Sequence, residues 1–172
     1  MEEQVKNTAV ADVLSDSSNG ASLKAGKYLT FRLEEEEYGI NILQVTTIIR
    51  LQEITAVPNT PHYVRGVINL RGNVIPVVEM RTKFRLETVE ETNETCIIVV
   101  DIRQGDASIP MGILVDSVSE VLDVADADIE EIPDFGDNNA REGLLGIAKI
   151  DDDLKILLDI DRVLASEASE LV

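Results

Sequence analysis

From Gly26 onward the chain alternates short apolar blocks with acidic or glycine-bearing turns, the pattern of many short strands. Strands are expected at 27–33, 38–41, 54–57, 74–80, 95–102, 109–115, 144–150 and 154–158. Two segments read differently. "ILQVTTIIR" (42–50) places apolar residues at Ile42, Val45, Ile48 and Ile49, which is helical spacing, and "DSVSEVL" (116–122) matches it. "ADADIEEI" (125–132), with acids in its first turn, predicts a further short helix. The C-terminal "DIDRVLASEASEL" predicts a helix with Ile160, Val163 and Leu164 on one face.

The pattern runs twice. "KYLTFRLEEEEYGINILQVTTII" (27–49) and "TCIIVVDIRQGDASIPMGILVDSVSEVL" (95–122) share a strand, a polar turn, a Gly-Ile pair and a valine. Gly39 matches Gly112 and Val45 matches Val118, both at an offset of 73 (112 − 39, 118 − 45). "GVINL" before "VIPVVEM" then parallels "GLLGI" before "LKILLDI", at an offset of 77 for the glycines (143 − 66) and 80 for the acids (159 − 79). Both halves continue into a basic residue, Arg81 and Arg162. Two copies are too few for a solenoid, which needs about three stacked units. The reading is a mainly β fold of two similar small subdomains, with repeat units at about 27–90 and 95–164. Residues 1–25 form an expected flexible tail, and 166–172 end the C-terminal helix.

Composition narrows the partners. A net charge of −18 argues against a nucleic-acid backbone or an anionic membrane surface. No apolar run reaches the ~20 residues of a membrane span. The N-terminus lacks a signal-peptide apolar block, and the single Cys96 allows no intrachain disulfide, so the cytoplasm is the expected compartment.

Chemistry is sparse. The one histidine, His62, follows Pro61 in a turn with nothing nearby to orient it. Cys96 opens an apolar strand and reads as a small core or groove residue. No phosphate-binding glycine loop occurs, and the acidic runs at 34–37 and 151–153 lack the spacing of a calcium loop. No catalytic residue, metal site or cofactor is assigned, and the chain is expected not to be an enzyme. Residues 116–139 hold nine carboxylates and no Lys or Arg, a wetted surface or a docking face. Against this, 65–85 holds Arg65, Arg71, Arg81, Lys83 and Arg85 with only Glu79. That basic zone either steers an acidic partner or pairs with the second half of the chain.

Arg71 stands out because it interrupts the apolar "GVINLRGNVIPVV" between Gly66 and Gly72. A guanidinium there either pairs with an internal carboxylate or lines a contact surface, and its planar fork suits both. The glycines permit close approach or positive φ.

"TPHYVRGVINLRGNVIPVVEMRTKF" resembles the signature of the CheW family, adaptors of bacterial chemotaxis arrays. "EEEYGINILQV", "MGILVDSVSEVL" and "GLLGIAKIDDDLKILLDIDRVL" resemble it too, in the same order, so the likeness spans about residues 26–165. It implies two related five-stranded β-barrel subdomains that exchange strands, a few short helices and a C-terminal helix. It also implies an adaptor that couples methyl-accepting chemoreceptor signalling tips to the regulatory domain of the histidine autokinase CheA, recruited from the cytoplasm to receptor arrays. By position, receptor contact falls on Ile42, Val45, Gly66, Arg71, Cys96 and Val118, in a groove between barrels. Arg71 and Gly72 also carry a structural reading, and no kinase-contact residue is assigned. Where the family often has an acid after Tyr-Gly-Ile, this chain has Thr47, which leaves Glu53 or Glu79 to pair with Arg71. A small-ligand or cation-binding regulatory β-domain is the alternative.

Overall fold

Blocks of Val, Ile and Thr fit a pleated, half-buried surface, and strands dominate the computed structural model, which describes residues 24–133 and 143–165. They are β1 (Gly26–Leu33), β2 (Glu36–Asn41), β3 (Val45–Arg50), β4 (Val64–Leu70), β5 (Asn73–Glu79), β6 (Cys96–Gln104), β7 (Ala107–Val115), β8 (Ser117–Val124), β9 (Ile129–Glu130), β10 (Leu144–Ile150) and β11 (Asp153–Leu158). Single helical turns α1 (Met80–Lys83) and α2 (Ile160–Val163) follow β5 and β11. The tail expected at 1–25, up to residue 23, and the helix end expected at 166–172 lie outside the described residues.

The strands form two sheets, ordered β8-β1-β2-β11-β10-β9 and β3-β6-β7-β5-β4. Two β-rich subdomains are present. Hydrogen bonding among the described residues leaves each sheet open at its edges instead of closing a five-stranded barrel. Over the described residues, one compact unit comprises 24–31, 36–44, 119–133 and 143–163, and the other 32–35, 45–118 and 164–165. Within the first, Tyr28, Val124, Ala148 and Leu157 form a buried cluster. Burial, reinforced by the Asp159 carboxylate, pushes the Tyr28 phenol up to about 12. In the second, Ile68, Ile75, Val77, Ile97, Val99 and Leu114 form the core.

Three helix expectations give way to strand. Residues 42–50 are a 3-10 turn (Ile42–Gln44) followed by β3, and 117–122 of the segment 116–122 fall in β8. In β3 the β-branched run Val45–Ile49 loses side-chain freedom in a helix and fits a strand. Burial there alternates with period two: Val45, Thr47 and Ile49 are covered, whereas Thr46, Ile48 and Arg50 are exposed. At 125–132 only a 3-10 turn (Asp126–Asp128) forms before β9. The strand expected at 54–57 reduces to one bridge, Thr55 to Val67.

The repeat is more regular than its sequence suggests. Hairpins β4–β5 and β10–β11 pair Val64 with Val78 and Leu144 with Leu158, then skip one residue, and next pair Gly66 with Val77 and Gly146 with Leu157. Glu79 N–H donates to Tyr63 O, as Asp159 N–H does to Gly143 O. The offset is therefore 80 throughout (146 − 66, 159 − 79). Gly146, not Gly143, is the counterpart of Gly66, and Asp161, not Arg162, that of Arg81. One extra residue opposite the partner strand makes each skip a β-bulge.

Gly-Ile recurs because each glycine faces a bulky side chain across a parallel pair. Gly39 lies opposite Leu157, and Gly112 opposite Val77. A Cβ on Gly39 would stand 3.1 Å from Leu157 Cδ2, and one on Gly112 2.8 Å from Ile97 Cγ2. Gly66 is more constrained still: its φ is +143°, and a Cβ would lie 2.1 Å from the Thr55 carbonyl oxygen. That approach belongs to the reciprocal Thr55–Val67 backbone hydrogen bonds, both 2.9 Å.

Gly66→Ala is expected to cost about 3 kcal/mol or more, because backbone must move to admit the methyl; an unchanged chemical-denaturation midpoint would refute that origin. A second prediction concerns the buried Lys155, whose ammonium pairs with the Glu37 carboxylate across the β2–β11 register. The equivalent positions of the other half hold Ile75 and Pro110, so the fold does not need charge there (155 − 80, 37 + 73). Lys155→Met alone should destabilise by about 3 kcal/mol, and Lys155→Met with Glu37→Leu should restore near-wild-type stability in denaturant titration.

Candidate functional site

Arg71 occupies the two-residue turn between β4 and β5. Its φ is +53° and that of Gly72 is +87°, positive at both central positions as in a type I′ turn. Asn69 Oδ1 accepts the Gly72 N–H at 2.9 Å. The Arg71 side chain is exposed and forms no ion pair with a described residue. The pairing expected with Glu53 or Glu79 is not formed, for a plain reason. The turn projects Arg71 off the sheet end into water, so burial imposes no requirement for a counter-charge. Glu79 instead accepts from Arg65 Nη1 at 2.9 Å and from the Thr82 hydroxyl at 2.6 Å.

The buried arginine is Arg81, at the start of α1. Its Nε donates to Asp116 Oδ1 at 2.8 Å and its Nη2 to Asp116 Oδ2 at 2.6 Å, the bidentate geometry that suits guanidinium to carboxylate. Nη1 donates to the Glu87 carbonyl at 2.8 Å and stands 3.5 Å from the Glu34 carboxylate. Glu34 N–H also donates to Asp116 Oδ2, and Asp116 N–H to Arg32 O. Partial burial alone would raise the Asp116 acid, but the Arg81 hydrogen bonds, the Glu34 N–H and the Arg81 charge hold it below the usual carboxylate range. A cavity of about 20 Å³, room for one water, adjoins this pair and is lined by Glu79, Arg81, Glu91 and Asp116 among others.

The basic zone at 65–85 is thereby largely answered within the molecule. Arg65 is tied to Glu79 and Glu91, Arg81 to Asp116, and Lys83 lies 4.5 Å over the Tyr63 ring. Arg71 and Arg85 are exposed.

The remaining candidates are distributed along the chain. In the unit containing β3 to β7, Val45 is buried opposite Val100. Cys96 is half-buried between Arg50 and Val115, where desolvation pushes its thiol up, away from the reactive thiolate. Gly66 lies on β4, at the opposite edge of that sheet from β3. Val118 is half-buried in β8, and Ile42, in the other unit, is buried at the 3-10 turn. Sequence reasoning missed Arg81 and Asp116 as a pair; the only signal was a charge directly after an apolar strand. Among the described residues, no group of His, Cys, Asp and Glu could hold a metal ion, and no helix is long and apolar enough to cross a membrane.

Residues 27–168 match the family model described as a CheW-like domain. The chain is 38% identical over 146 residues to the chemotaxis protein CheW of Klebsiella aerogenes, covering 85% of this chain and 86% of that one. Identity with the Bacillus subtilis chemotaxis protein CheW is 34% over 151 residues, covering 87% and 94%. Among solved structures, the scaffolding protein TtCheW of Thermoanaerobacter tengcongensis superposes with a TM-score of 0.69 at 34% identity, covering 78% of this chain and 88% of that one.

Breaking the Arg81–Asp116 pair by Asp116→Asn should cost about 3 kcal/mol, since one buried partner is left unanswered. The pH signature follows from the lowered Asp116 acid. Its contribution is complete above the unfolded carboxylate value of about 3.9 and is lost as pH falls through the lower folded value. Melting temperature measured between pH 5 and 2.5 should therefore fall less steeply in Asp116→Asn than in the unsubstituted protein. Parallel curves would assign the acid sensitivity elsewhere.

Proposed function

The chain belongs to the CheW-like domain family, and from that premise we propose that it is a chemotaxis adaptor that couples the cytoplasmic signalling tips of chemoreceptors to the regulatory domain of the histidine autokinase CheA. The observation that carries this reading is the family match over 27–168, together with the superposition on a solved scaffolding protein of 34% identity. The mechanism is binding without chemistry. The chain works in the cytoplasm and is recruited to receptor arrays by its two partners.

Receptor contact is proposed for Ile42, Val45, Arg71 and Val118, with Cys96 as a weaker participant. The exposed Arg71, held outward by its turn and without an ion pair among the described residues, supports a contact role over an internal one. Gly66 belongs to the same proposal only indirectly, because its close approach to Thr55 shapes the strand that leads to Arg71. A helical hairpin presenting apolar anchors and a carboxylate would suit these residues.

Titration calorimetry with a receptor signalling fragment and, separately, with the kinase regulatory domain tests the reading. Binding is expected to both, and absence of both refutes it. Arg71→Ala should weaken the receptor fragment about tenfold while changing stability by no more than about 0.5 kcal/mol, as an exposed turn residue should. A large fall in melting temperature with no separate binding defect would return Arg71 to a structural role.

A further inference from the structure

Val121 is 50% exposed on β8, the edge strand of its sheet. The Thr30 hydroxyl donates to the Glu120 carbonyl at 2.9 Å and accepts the Glu120 N–H at 3.1 Å, and the Lys27 ammonium pairs with Asp123 at 2.8 Å. Both pairs sum to 150 (30 + 120, 27 + 123), so β1 and β8 run antiparallel. Gly26 is then level with Val124, and Val121 lies opposite Leu29. Val121 and Asp123 share a face, because side chains alternate along a strand. The outer edge of β8 pairs with no described strand. A free edge beside an exposed valine invites pairing with another chain.

The protein carries a segment of its own that suits this place. Val5, Ala9, Val10, Val13 and Leu14 recur at i, i+4, i+5, i+8 and i+9, the stripe of an amphipathic helix. Lys6 falls within that stripe and is the only Lys or Arg before Lys24. Eleven residues, 15–25, separate Leu14 from Gly26 (25 − 14), and more than half are Ser, Asn or Gly. A linker of that composition has a root-mean-square reach of about 18 Å. Val121 lies three residues along β8 from the level of Gly26, or about 10 Å. The Tyr28 hydroxyl donates to the Lys24 carbonyl at 2.5 Å, so the chain enters at this end of the β1–β8 pair. Leu154, the other large exposed aliphatic of this unit, lies at the far end of the sheet, since its neighbour Lys155 pairs with Glu37 beside the β1–β2 turn.

We propose that residues 5–14 fold back as a short amphipathic helix onto β8 of the same chain and guard its free edge. Val10, Val13 and Leu14 cover Val121, and the Lys6 ammonium joins Lys27 at the Asp123 carboxylate, whose side chain is 77% exposed. A helix this short is marginal alone, so helix and contact form together. The linker holds the segment at an effective concentration of about 1 mM. A contact with a Kd of about 0.2 mM is therefore formed most of the time. The proposal does not depend on the adaptor reading.

Residue-resolved amide hydrogen exchange on the full chain at about 0.15 M salt tests it. Amides of residues 9–14 should exchange about fivefold more slowly than in a synthetic peptide of residues 1–23. Val121→Ser should return them to the peptide rate while leaving the core strand β6 as protected as before, which shows that the fold is intact. Lys6→Glu should reduce the protection about twofold, and Lys6→Glu with Asp123→Lys should restore it. Peptide-like exchange of 9–14 in the unsubstituted chain overturns the proposal, as does protection that survives Val121→Ser. Protection that rises with protein concentration overturns it too, because the occupied edge then belongs to a second copy.

Discussion

Both sheets depend on parallel pairs between strands far apart in sequence, β2 with β11 and β5 with β7. A parallel pair cannot be joined by a tight turn, so each requires distant segments to meet in register before either sheet is complete. At each meeting point a glycine admits an aliphatic side chain from the neighbouring strand: Gly39 faces Leu157, and Gly112 faces Val77. Register and packing are thus set by the same residues, because a one-residue slip would bring a Cβ against that side chain and turn every neighbour to the wrong face. The sheets mix the two halves of the chain. β1 and β2 pair into the sheet that holds β8 to β11, while β3 to β5 join β6 and β7. Such non-local pairing places loop-closure cost early in folding and favours slow kinetics.

On this shared frame the two halves have diverged in where they bury charge. One places the Lys155–Glu37 pair where the other has Ile75 and Pro110. The unit containing β3 to β7 buries Arg81 against Asp116, whereas the residue equivalent to Arg81, Asp161, accepts a hydrogen bond from Gln44. In both cases the frame survives the exchange, so these polar contacts are local solutions and not the basis of the architecture. Arg81 is the more entangled of the two. Its guanidinium reaches the turn before β8 through Asp116, the Glu87 carbonyl and the β1–β2 turn through Glu34. A group with several obligations tolerates substitution less well than a single ion pair.

The duplication, the mainly β class and most strand positions were legible because Gly-Ile and the apolar blocks recur with little noise. The helices expected at 42–50 and 116–122 failed for one identifiable reason. Ile48 is 43% exposed and Val121, its equivalent at an offset of 73, is 50% exposed. An apolar residue on the solvent side of an edge strand breaks the alternation that a strand should show and leaves a false helical spacing. The internal ion pair considered for Arg71 did not form, for a different reason. "NLRGN" between two apolar runs is the signal of a two-residue hairpin turn, but the surrounding apolar density invited a reading of burial. Arg81 and Asp116 lie 35 residues apart, and no local pattern announces a pair made by topology.

The same exposed residues bear on what the surface is for. A single aliphatic side chain in water is ordinary and needs no explanation. Here four of them fall into two equivalent couples, Ile48 with Val121 and Val74 with Leu154, although the charges around them have changed sign between the halves. Folding does not require an apolar side chain at any of these positions, since each faces solvent and its removal would open no cavity. Solubility would favour a polar residue, and an edge strand especially so, because exposed apolar edges invite unwanted pairing. Features that folding does not need and solubility disfavours, yet that occur in both halves, belong with contact.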